Sequence, residues 1–334
     1  MKSSIDYLAS VAIKNSPKPS YSCISLIGNT AISHNENTIA WVTDMPFEFQ
    51  EPVMVTASRL AQALGAAGDD ATVSRRGDMV VVSGGSSEFE IPAITGEATP
   101  SIPQVSPDID VPLPGTFCAA LAHVSFAHDA PTASSVLSGV HVTSTAIVAT
   151  DGKLLAEVRG EFPDVTMTVP VIAIPLISAC MEGNESASMD TSSGSLSIVS
   201  GNRGLRVRLV EGKYPNYKAA LPSTFVGSWG FNRKDMIKAV KNAALMSNSS
   251  SPAVVLEGDG STCTVTNMTT NAGKAKTSIA GGPSRKVAFN GIYLNSILSR
   301  MSGDEVTAND SGPGKGMVMS EGNCTYLIMP VAIN

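Results

Sequence analysis

Three segments of the chain share one order of predicted elements at nearly constant spacing, and this repeat constrains the fold more than any other feature. Each copy is predicted to form a short strand, a helix, a turn and a strand pair around a Gly-containing hairpin. Leu60, Ile177 and Leu294 hold matching helix positions, 117 and 117 residues apart. Order and spacing agree although identity between the copies is low. The three segments span residues 53–91, 169–209 and 287–329.

A second helix pattern opens each copy, and strand-like runs follow it. The opening helices are predicted at residues 5–15, 116–129 and 233–248. Runs of strands around single helices indicate an α+β fold with antiparallel sheets, in three repeats of two helices each. A proline-rich stretch at 97–115 is predicted to be a stiff linker, and 221–230 is the second junction. The predicted domains are 1–107, 108–225 and 226–334.

Composition and missing motifs exclude several classes of protein. Apolar residues make up 43% of the chain, which is not a disordered composition. The sequence has neither a run of about 18 apolar residues nor a signal-peptide pattern, so we expect a cytoplasmic protein without a membrane association. The five cysteines form no CxxC pair and are expected to be reduced thiols, with no metal site and no cofactor. No catalytic motif is found, and the Asp151–Gly152 pair is interpreted as a hairpin turn.

Charge is distributed unevenly along the chain. Formal net charge is −6 overall. By predicted thirds it is −5, −4 and +3, with the positive value at the end. In the helix at 233–248, Lys234, Lys238 and Lys241 form one stripe, and apolar residues form another. A solvated lysine face is the simpler interpretation, and a surface facing phosphates is the alternative.

Six stretches of the chain carry recognisable motifs: FAHDAPTASSVLSGVHV (126–142), AIVATDGKLLAEV (146–158), LVEGKYPNYKAALP (209–222), IKAVKNAALMSNSSSPAVVLEG (237–258), FNGIYLNSILSRM (289–301) and TYLIMPV (325–331). Together they resemble the bacterial DNA polymerase III beta subunit, the sliding clamp. The TDGK, EGKYPNY, MSN and MPV pieces occur in the order and spacing of that family. The first domain matches only loosely and begins almost at its first helix. The compact size indicates a divergent member, and a phage-encoded origin is one hypothesis.

The resemblance implies a DNA-clamp fold that closes into a ring as a head-to-tail homodimer. Such a ring encircles double-stranded DNA without reading its sequence, so its contacts are to phosphates. The resemblance implies a processivity factor for DNA replication and not an enzyme. Such a factor tethers a replicative polymerase and works with a clamp loader. The residues expected to face the DNA lie on or just after the opening helices of copies one and three. They are Lys14, Lys18, Lys234, Lys238 and Lys241.

The family's cleft for clamp-binding peptides, carried over to this sequence, lies between the second and third domains. Two positions that are commonly basic in the family are Leu154 and Ala219 here, and Asn334 extends the tail, so the preferred peptide is expected to differ. The alternative is that residues 327–331 are simply the last core strand. The implied cleft residues are Leu137, Thr150, Gly152, Leu154, Leu155, Pro215, Ala219, Ala220, Leu327, Ile328, Met329, Pro330 and Val331.

The subunit interface implied by the resemblance joins an edge strand of domain one to an edge strand of domain three. Here the strand SSEFEIP supplies acidic residues and GKAKTSI supplies lysines, which reverses the usual charges but keeps them complementary. Two unrelated surface strands are the alternative. The residues assigned to the interface are Glu88, Phe89, Glu90, Ile91, Leu245, Met246, Lys274 and Lys276.

Two other classes of protein remain as alternatives. A phage structural protein, from a capsid or a tail, fits the low charge and the many Ser, Thr and Gly residues. It gives no reason for paired helices at equal spacing. An enzyme is disfavoured because no catalytic constellation is recognisable.

Overall fold

The computed structural model describes residues 1–94, 99–105, 109–111, 114–130, 135–246, 252–268 and 273–333. The helices of this part of the chain are α1 Lys2–Val11, α2 Ala57–Ala67, α3 Pro114–Val124, α4 Ile174–Met181, α5 Arg233–Leu245 and α6 Gly291–Leu298. The strands in chain order are β1 Cys23–Gly28, β2 Thr30–His34, β3 Thr38–Val42, β4 Phe49–Thr56, β5 Thr72–Arg76, β6 Met79–Gly84, β7 Ser87–Pro92, β8 Ile109–Val111, β9 Gly139–Val142, β10 Ala146–Thr150, β11 Leu154–Arg159, β12 Met167–Pro170, β13 Ala187–Asp190, β14 Ser195–Ser200, β15 Arg203–Arg208, β16 Gly227–Asn232, β17 Ala253–Gly258, β18 Thr262–Asn267, β19 Lys276–Ala280, β20 Lys286–Asn290, β21 Glu305–Asp310, β22 Met317–Glu321 and β23 Cys324–Ile328.

The chain forms two compact units, and the middle repeat contributes to both. Unit 1 is Met1–Ala119 with Phe162–Glu211, and unit 2 is Ala120–Glu161 with Gly212–Asn334. The division into three domains therefore stays a prediction. Its first boundary, between residues 107 and 108, lies outside the described residues, as does Asn334.

Unit 1 contains a large antiparallel sheet with the strand order β4-β1-β2-β3-β15-β14-β13-β8 and a small sheet β5-β6-β7. Helix α1 packs on β2 and β3, α2 packs on the small sheet, and α4 packs on β14 and β15. The large sheet joins strands from the first half of the first repeat to strands from the second half of the middle repeat, because β3 pairs with β15.

Unit 2 repeats this plan with different parts of the chain. The strands that unit 2 itself contributes to its large sheet run in the order β9-β10-β11-β23-β22-β21-β16, and its small sheet runs β19-β18-β17-β20. The junction is the pairing of β11 with β23, which corresponds to the β3–β15 pairing of unit 1. Helices α5 and α6 contact each other and pack on the strands of the small sheet.

The repeat predicted from the sequence is confirmed in its helix positions. Leu60, Ile177 and Leu294 are all buried on the sheet-facing sides of α2, α4 and α6. The α+β class with antiparallel sheets is confirmed as well.

Several predicted boundaries were wrong. Helix α1 ends at Val11 and not at residue 15, because Ala12 is already extended. Helix α3 ends at Val124 and a 3-10 turn follows it. The proline-rich stretch is not a linker throughout, because residues 109–111 form β8, and this strand pairs with β13. The second junction likewise contains the start of β16.

Candidate functional site

An apolar cluster lies on one face of the large sheet of unit 2. Leu155 of β11 pairs with Leu327 of β23, which in turn pairs with Val318 of β22, so the three side chains share that face. The neighbouring residue Tyr326 points to the opposite face, where its ring meets His123 of α3. The cluster therefore lies on the side of the sheet away from the helices. Its buried members are Val148, Leu155, Tyr214, Tyr217, Val318 and Leu327, with Val136, Leu137 and Leu221 packed against them.

The structure brings only part of the predicted cleft to this cluster. Leu137, Leu155 and Leu327 belong to it, and Thr150 shares their face because it pairs with Leu155. Met329 and Pro330 are half-buried. The remaining residues on or beside this side are exposed: Gly152, Pro215, Ala219, Ala220 and Val331.

Leu154 and Ile328 were assigned to the cleft wrongly. They pair with each other and therefore point to the face opposite Leu155 and Leu327. They are 2% and 0% exposed in the core on the helix side of the sheet. Leu154 thus makes a core contact and does not form an apolar wall of the cleft.

A buried carboxylate beside the cluster was missed by sequence reasoning. Glu157 is 1% exposed, accepts a 2.9 Å hydrogen bond from the Tyr217 hydroxyl, and pairs with Arg159 at 2.8 Å. Burial, and next the Glu157 carboxylate, raise the pKa of Tyr217. Tyr214 stacks on His141 with ring centroids 4.5 Å apart. The signal for both tyrosines was the EGKYPNY segment, whose aromatic residues flank a proline.

The Asp151–Gly152 pair forms the predicted hairpin turn. The Asp151 carboxylate accepts hydrogen bonds from the backbone N–H groups of Lys153 and Leu154, and Gly152 has a φ of 87°. The other carboxylate oxygen accepts a hydrogen bond from Tyr293 of α6, and this contact raises the pKa of Tyr293 to about 12. The turn beside the apolar cluster is thereby fixed to a helix.

Helix α5 exposes the predicted lysine stripe. Lys234, Lys238 and Lys241 are exposed, while Met236 and Val240 are buried. Lys234 pairs with Asp304 at 2.9 Å, so one charge of the stripe is partly neutralised within the chain. No ion pair of Lys238 or Lys241 occurs among the residues that the structure describes.

The two lysines assigned to copy one lie beyond the end of α1. Lys14 is exposed, and Lys18 precedes a 3-10 turn with its ammonium 4.9 Å from the ring centroid of Tyr21. They therefore belong to a loop, whereas the α5 lysines belong to a helix.

The two strands predicted to form the subunit interface are both edge strands. Strand β7 ends the order β5-β6-β7, and β19 ends the order β19-β18-β17-β20. On β7, Glu88 and Glu90 are exposed, Phe89 is half-buried and Ile91 is buried, which confirms the predicted alternation. Strand β19 begins at Lys276, so the predicted strand was too long and Lys274 precedes it.

The end of α5 and the start of β19 are held together by one buried asparagine. Asn267 donates hydrogen bonds to the carbonyl oxygens of Met246 and Gly273, at 2.9 and 3.0 Å, and accepts one from Ala275 at 2.8 Å. Beside it, Leu245 is 75% exposed and Met246 is 37% exposed. The exposed apolar pair and the lysine-bearing strand therefore form one block.

In the described ranges, no group of three or more His, Cys, Asp or Glu side chains is placed to hold a metal ion. The same part of the chain contains no helix long and apolar enough to span a membrane.

Known proteins resemble this chain over most of its length. The beta sliding clamp of Chlamydia pneumoniae is 25% identical over 276 residues, which cover 78% of this chain and 75% of that relative. The beta sliding clamp of Treponema pallidum is 24% identical over 263 residues, covering 73% and 71%. The solved DNA polymerase III beta subunit of Thermotoga maritima matches with a TM-score of 0.90 at 17% identity, over 100% of this chain and 97% of that one. No family model matches.

The two junctions between repeats and the agreement with the Thermotoga structure define the fold as that of the DNA polymerase III beta subunits. The curated relatives add agreement in sequence across most of both chains. In sequence and in fold, the chain is thus similar to the sliding clamps, from which it is divergent. This class agrees with the expectation that the chain is not an enzyme, and a phage origin stays a prediction.

Proposed function

We propose that this clamp encircles duplex DNA and tethers a replicative polymerase to it. The observation that carries the proposal is the agreement of the whole chain with a DNA polymerase III beta subunit at a TM-score of 0.90. A tether converts repeated binding of the polymerase into an intramolecular event, which raises its effective concentration at the primer end. No catalytic group is needed for this function, and the clamp works without a cofactor.

The lysine face of α5 is the surface proposed to contact DNA. Lys238 and Lys241 are exposed on the side of the helix opposite its buried residues. Flexible ammonium groups suit phosphates as point charges and give contacts that are independent of base sequence and sensitive to salt. Lys14 and Lys18 are proposed as weaker contacts because they lie on a loop.

The apolar cluster of unit 2 is the proposed site for clamp-binding peptides of the polymerase and the clamp loader. Half-buried Leu137 and the tyrosine segment 214–217 border it, and the Asp151 turn lies next to it. Apolar anchor side chains in a preformed site supply most of the affinity in such contacts. Ala219 is exposed where the family commonly has a basic residue, so we expect a peptide that depends little on acidic flanks.

A homodimer is proposed through the edges of β7 and β19. Phe89 and Ile91 share the face of the small sheet of unit 1 that packs on α2, so Glu88 and Glu90 point away from that helix. In unit 2, buried Ile279 points toward the helix side and Lys276 points away from it. Continuing one sheet into the other would thus bring acidic and basic side chains together on the same side.

The division into domains 1–107, 108–225 and 226–334, and a cytoplasmic location, belong to the same proposal. Two such chains would supply six domains to a ring. A phage structural protein would form large assemblies in gel filtration, whereas a closed ring would elute as a dimer of 34.5 kDa chains.

Retention on circular DNA tests the function most directly. The clamp is loaded onto nicked circular plasmid and onto the same plasmid after linearisation, and bound protein is measured after gel filtration at high salt. A clamp that encircles the DNA should stay on circular plasmid at high salt and should slide off the ends of linear plasmid. Equal loss from both DNA forms would contradict the proposal.

A further inference from the structure

One arginine of unit 1 forms ion pairs with both acidic residues of the proposed interface. Arg76 ends β5, and its guanidinium reaches across β6 to the face of β7 that carries Glu88 and Glu90. Its Nη1 lies 2.9 Å from a carboxylate oxygen of Glu88 and 2.9 Å from one of Glu90, and its Nη2 lies 3.2 Å from the second Glu88 oxygen. The Ser83 hydroxyl donates a further hydrogen bond to Glu88 at 3.3 Å.

The lysines at the β19 edge of unit 2 differ in this respect. In the described ranges, Lys274 and Lys276 make no ion pair within the chain, and both are exposed. The β7 edge therefore presents a formal charge of −1, from two carboxylates and one guanidinium, while the β19 edge presents +2. Sequence alternation alone suggested −2 against +2.

We propose that Arg76 sets the charge of the β7 edge, so that this surface accepts the lysine-bearing edge of a second copy of the chain through a weak contact that depends little on salt. The proposal rests on the homodimer proposed above. Each carboxylate has about four acceptor positions, so a partner's lysines can bind without displacing Arg76. The guanidinium nevertheless repels them, because it carries the same charge.

The effect of Arg76 on the β7–β19 contact occurs twice in a closed ring. A head-to-tail dimer with two-fold symmetry contains two identical β7–β19 contacts, and dissociation into single chains breaks both. Lowering the charge product at each contact makes the ring easier to open while leaving the apolar contact of Leu245 and Met246 in place. A clamp that must be opened to admit DNA gains from this arrangement.

The test compares Arg76→Gln with Arg75→Gln. Arg75 is the adjacent residue on β5, has the same charge, and pairs with Glu51 and not with the β7 acids. The dimer dissociation constant of each full-length variant is measured by sedimentation at salt concentrations of about 30 mM and about 500 mM, where charges are weakly and strongly screened. Arg76→Lys, which keeps the charge, serves as the rescue variant.

We expect Arg76→Gln to tighten the dimer about threefold per contact, and so about tenfold per ring, at low salt. Its salt dependence should be steeper than that of the wild type, while Arg75→Gln and Arg76→Lys should match the wild type. An unchanged or shallower salt dependence in a folded Arg76→Gln protein overturns the role of Arg76. A wild-type chain that is monomeric at all concentrations instead overturns the proposed dimer.

Discussion

The two large sheets have the same strand order across their repeat junctions, yet their faces away from the helices differ in chemistry. In unit 2 this face carries Leu155 and Leu327 in an apolar cluster. In unit 1 the corresponding β3–β15 pair places Trp41 over Gly204, so closely that a Cβ at residue 204 would lie 1.9 Å from the Trp41 ring. Arg206 lies beside it on the same face. The two sheets therefore have corresponding faces, and the apolar cluster proposed to bind peptides is on the face of unit 2.

The opening helices of the two units differ in the same way. The charged residues of α1 are Lys2 and Asp6, which form an ion pair with each other. Helix α5 exposes three lysines, and only Lys234 has a partner among the residues described. A helix that neutralises its own charges offers little to phosphates, so DNA contact is expected to be concentrated in unit 2.

The largest expected effect tests the difference between the two sheet faces. Leu137→Asp places an unpaired carboxylate against the apolar cluster and should weaken binding of an apolar clamp-binding peptide at least about 30-fold, because anchor residues at such sites contribute about 2 kcal/mol or more. Fluorescence anisotropy with a labelled polymerase peptide measures this. Ile39→Asp, on the corresponding face of unit 1, is the matched control and should bind normally. Equal losses in both variants would show that the faces do not differ in function.

The next effect concerns the opening helices. Replacing Lys234, Lys238 and Lys241 by Gln should flatten the dependence of log affinity for DNA on log salt by about 2, since each lost phosphate contact accounts for about 0.9 and Lys234 is already paired. The change of Lys14 and Lys18 to Gln should flatten it by less than about 1. Filter binding across a salt series measures this slope for each variant. A slope that stays at the wild-type value in the triple variant would remove α5 from the DNA contact.

A smaller effect compares two buried tyrosine hydroxyls, one in each unit. Tyr217→Phe removes a hydrogen bond to the Glu157 carboxylate and should lower the free energy of unfolding by about 2 kcal/mol, as expected for a charged acceptor. Tyr7→Phe removes a hydrogen bond to the Gly204 carbonyl and should cost about 1 kcal/mol. Urea unfolding of both variants provides the values, and a larger loss for Tyr7→Phe would reverse the expected order.

The smallest effect is a dependence on pH. Hydrogen bonding from Arg285 holds the pKa of Asp310 below its usual 3.8, so the ion pair stabilises the fold above about pH 4 and stops doing so as the pH falls through the lowered pKa. Arg285→Gln should therefore lower the melting temperature at pH 7 but approach the wild type near pH 3. The exposed Arg208–Glu211 pair of unit 1 is the control, and Arg208→Gln should change little at either pH. A constant gap for Arg285→Gln over the whole range would contradict this.

Residue patterns predicted the repeat, the α+β class, the buried helix positions and the exposed edge acids, because each depends on local periodicity. They misplaced Leu154 and Ile328 because a cleft carried over residue by residue ignores that adjacent strand residues point to opposite faces. They missed Glu157 and its contact with Tyr217, and the reach of Arg76 to Glu88, because these contacts join residues far apart in sequence or on non-adjacent strands. Spacing within one strand carries no information about them.

The chain has two tryptophans, and each unit contains one of them. Trp41 is buried over Gly204 in unit 1, whereas Trp229 is half-exposed on β16 of unit 2 next to Phe231. Their intrinsic fluorescence should therefore differ in wavelength, since a buried indole emits further to the blue than a solvated one. A Trp229→Phe chain would report optically on unit 1 alone, and the order in which the two units lose structure could be followed without an added dye.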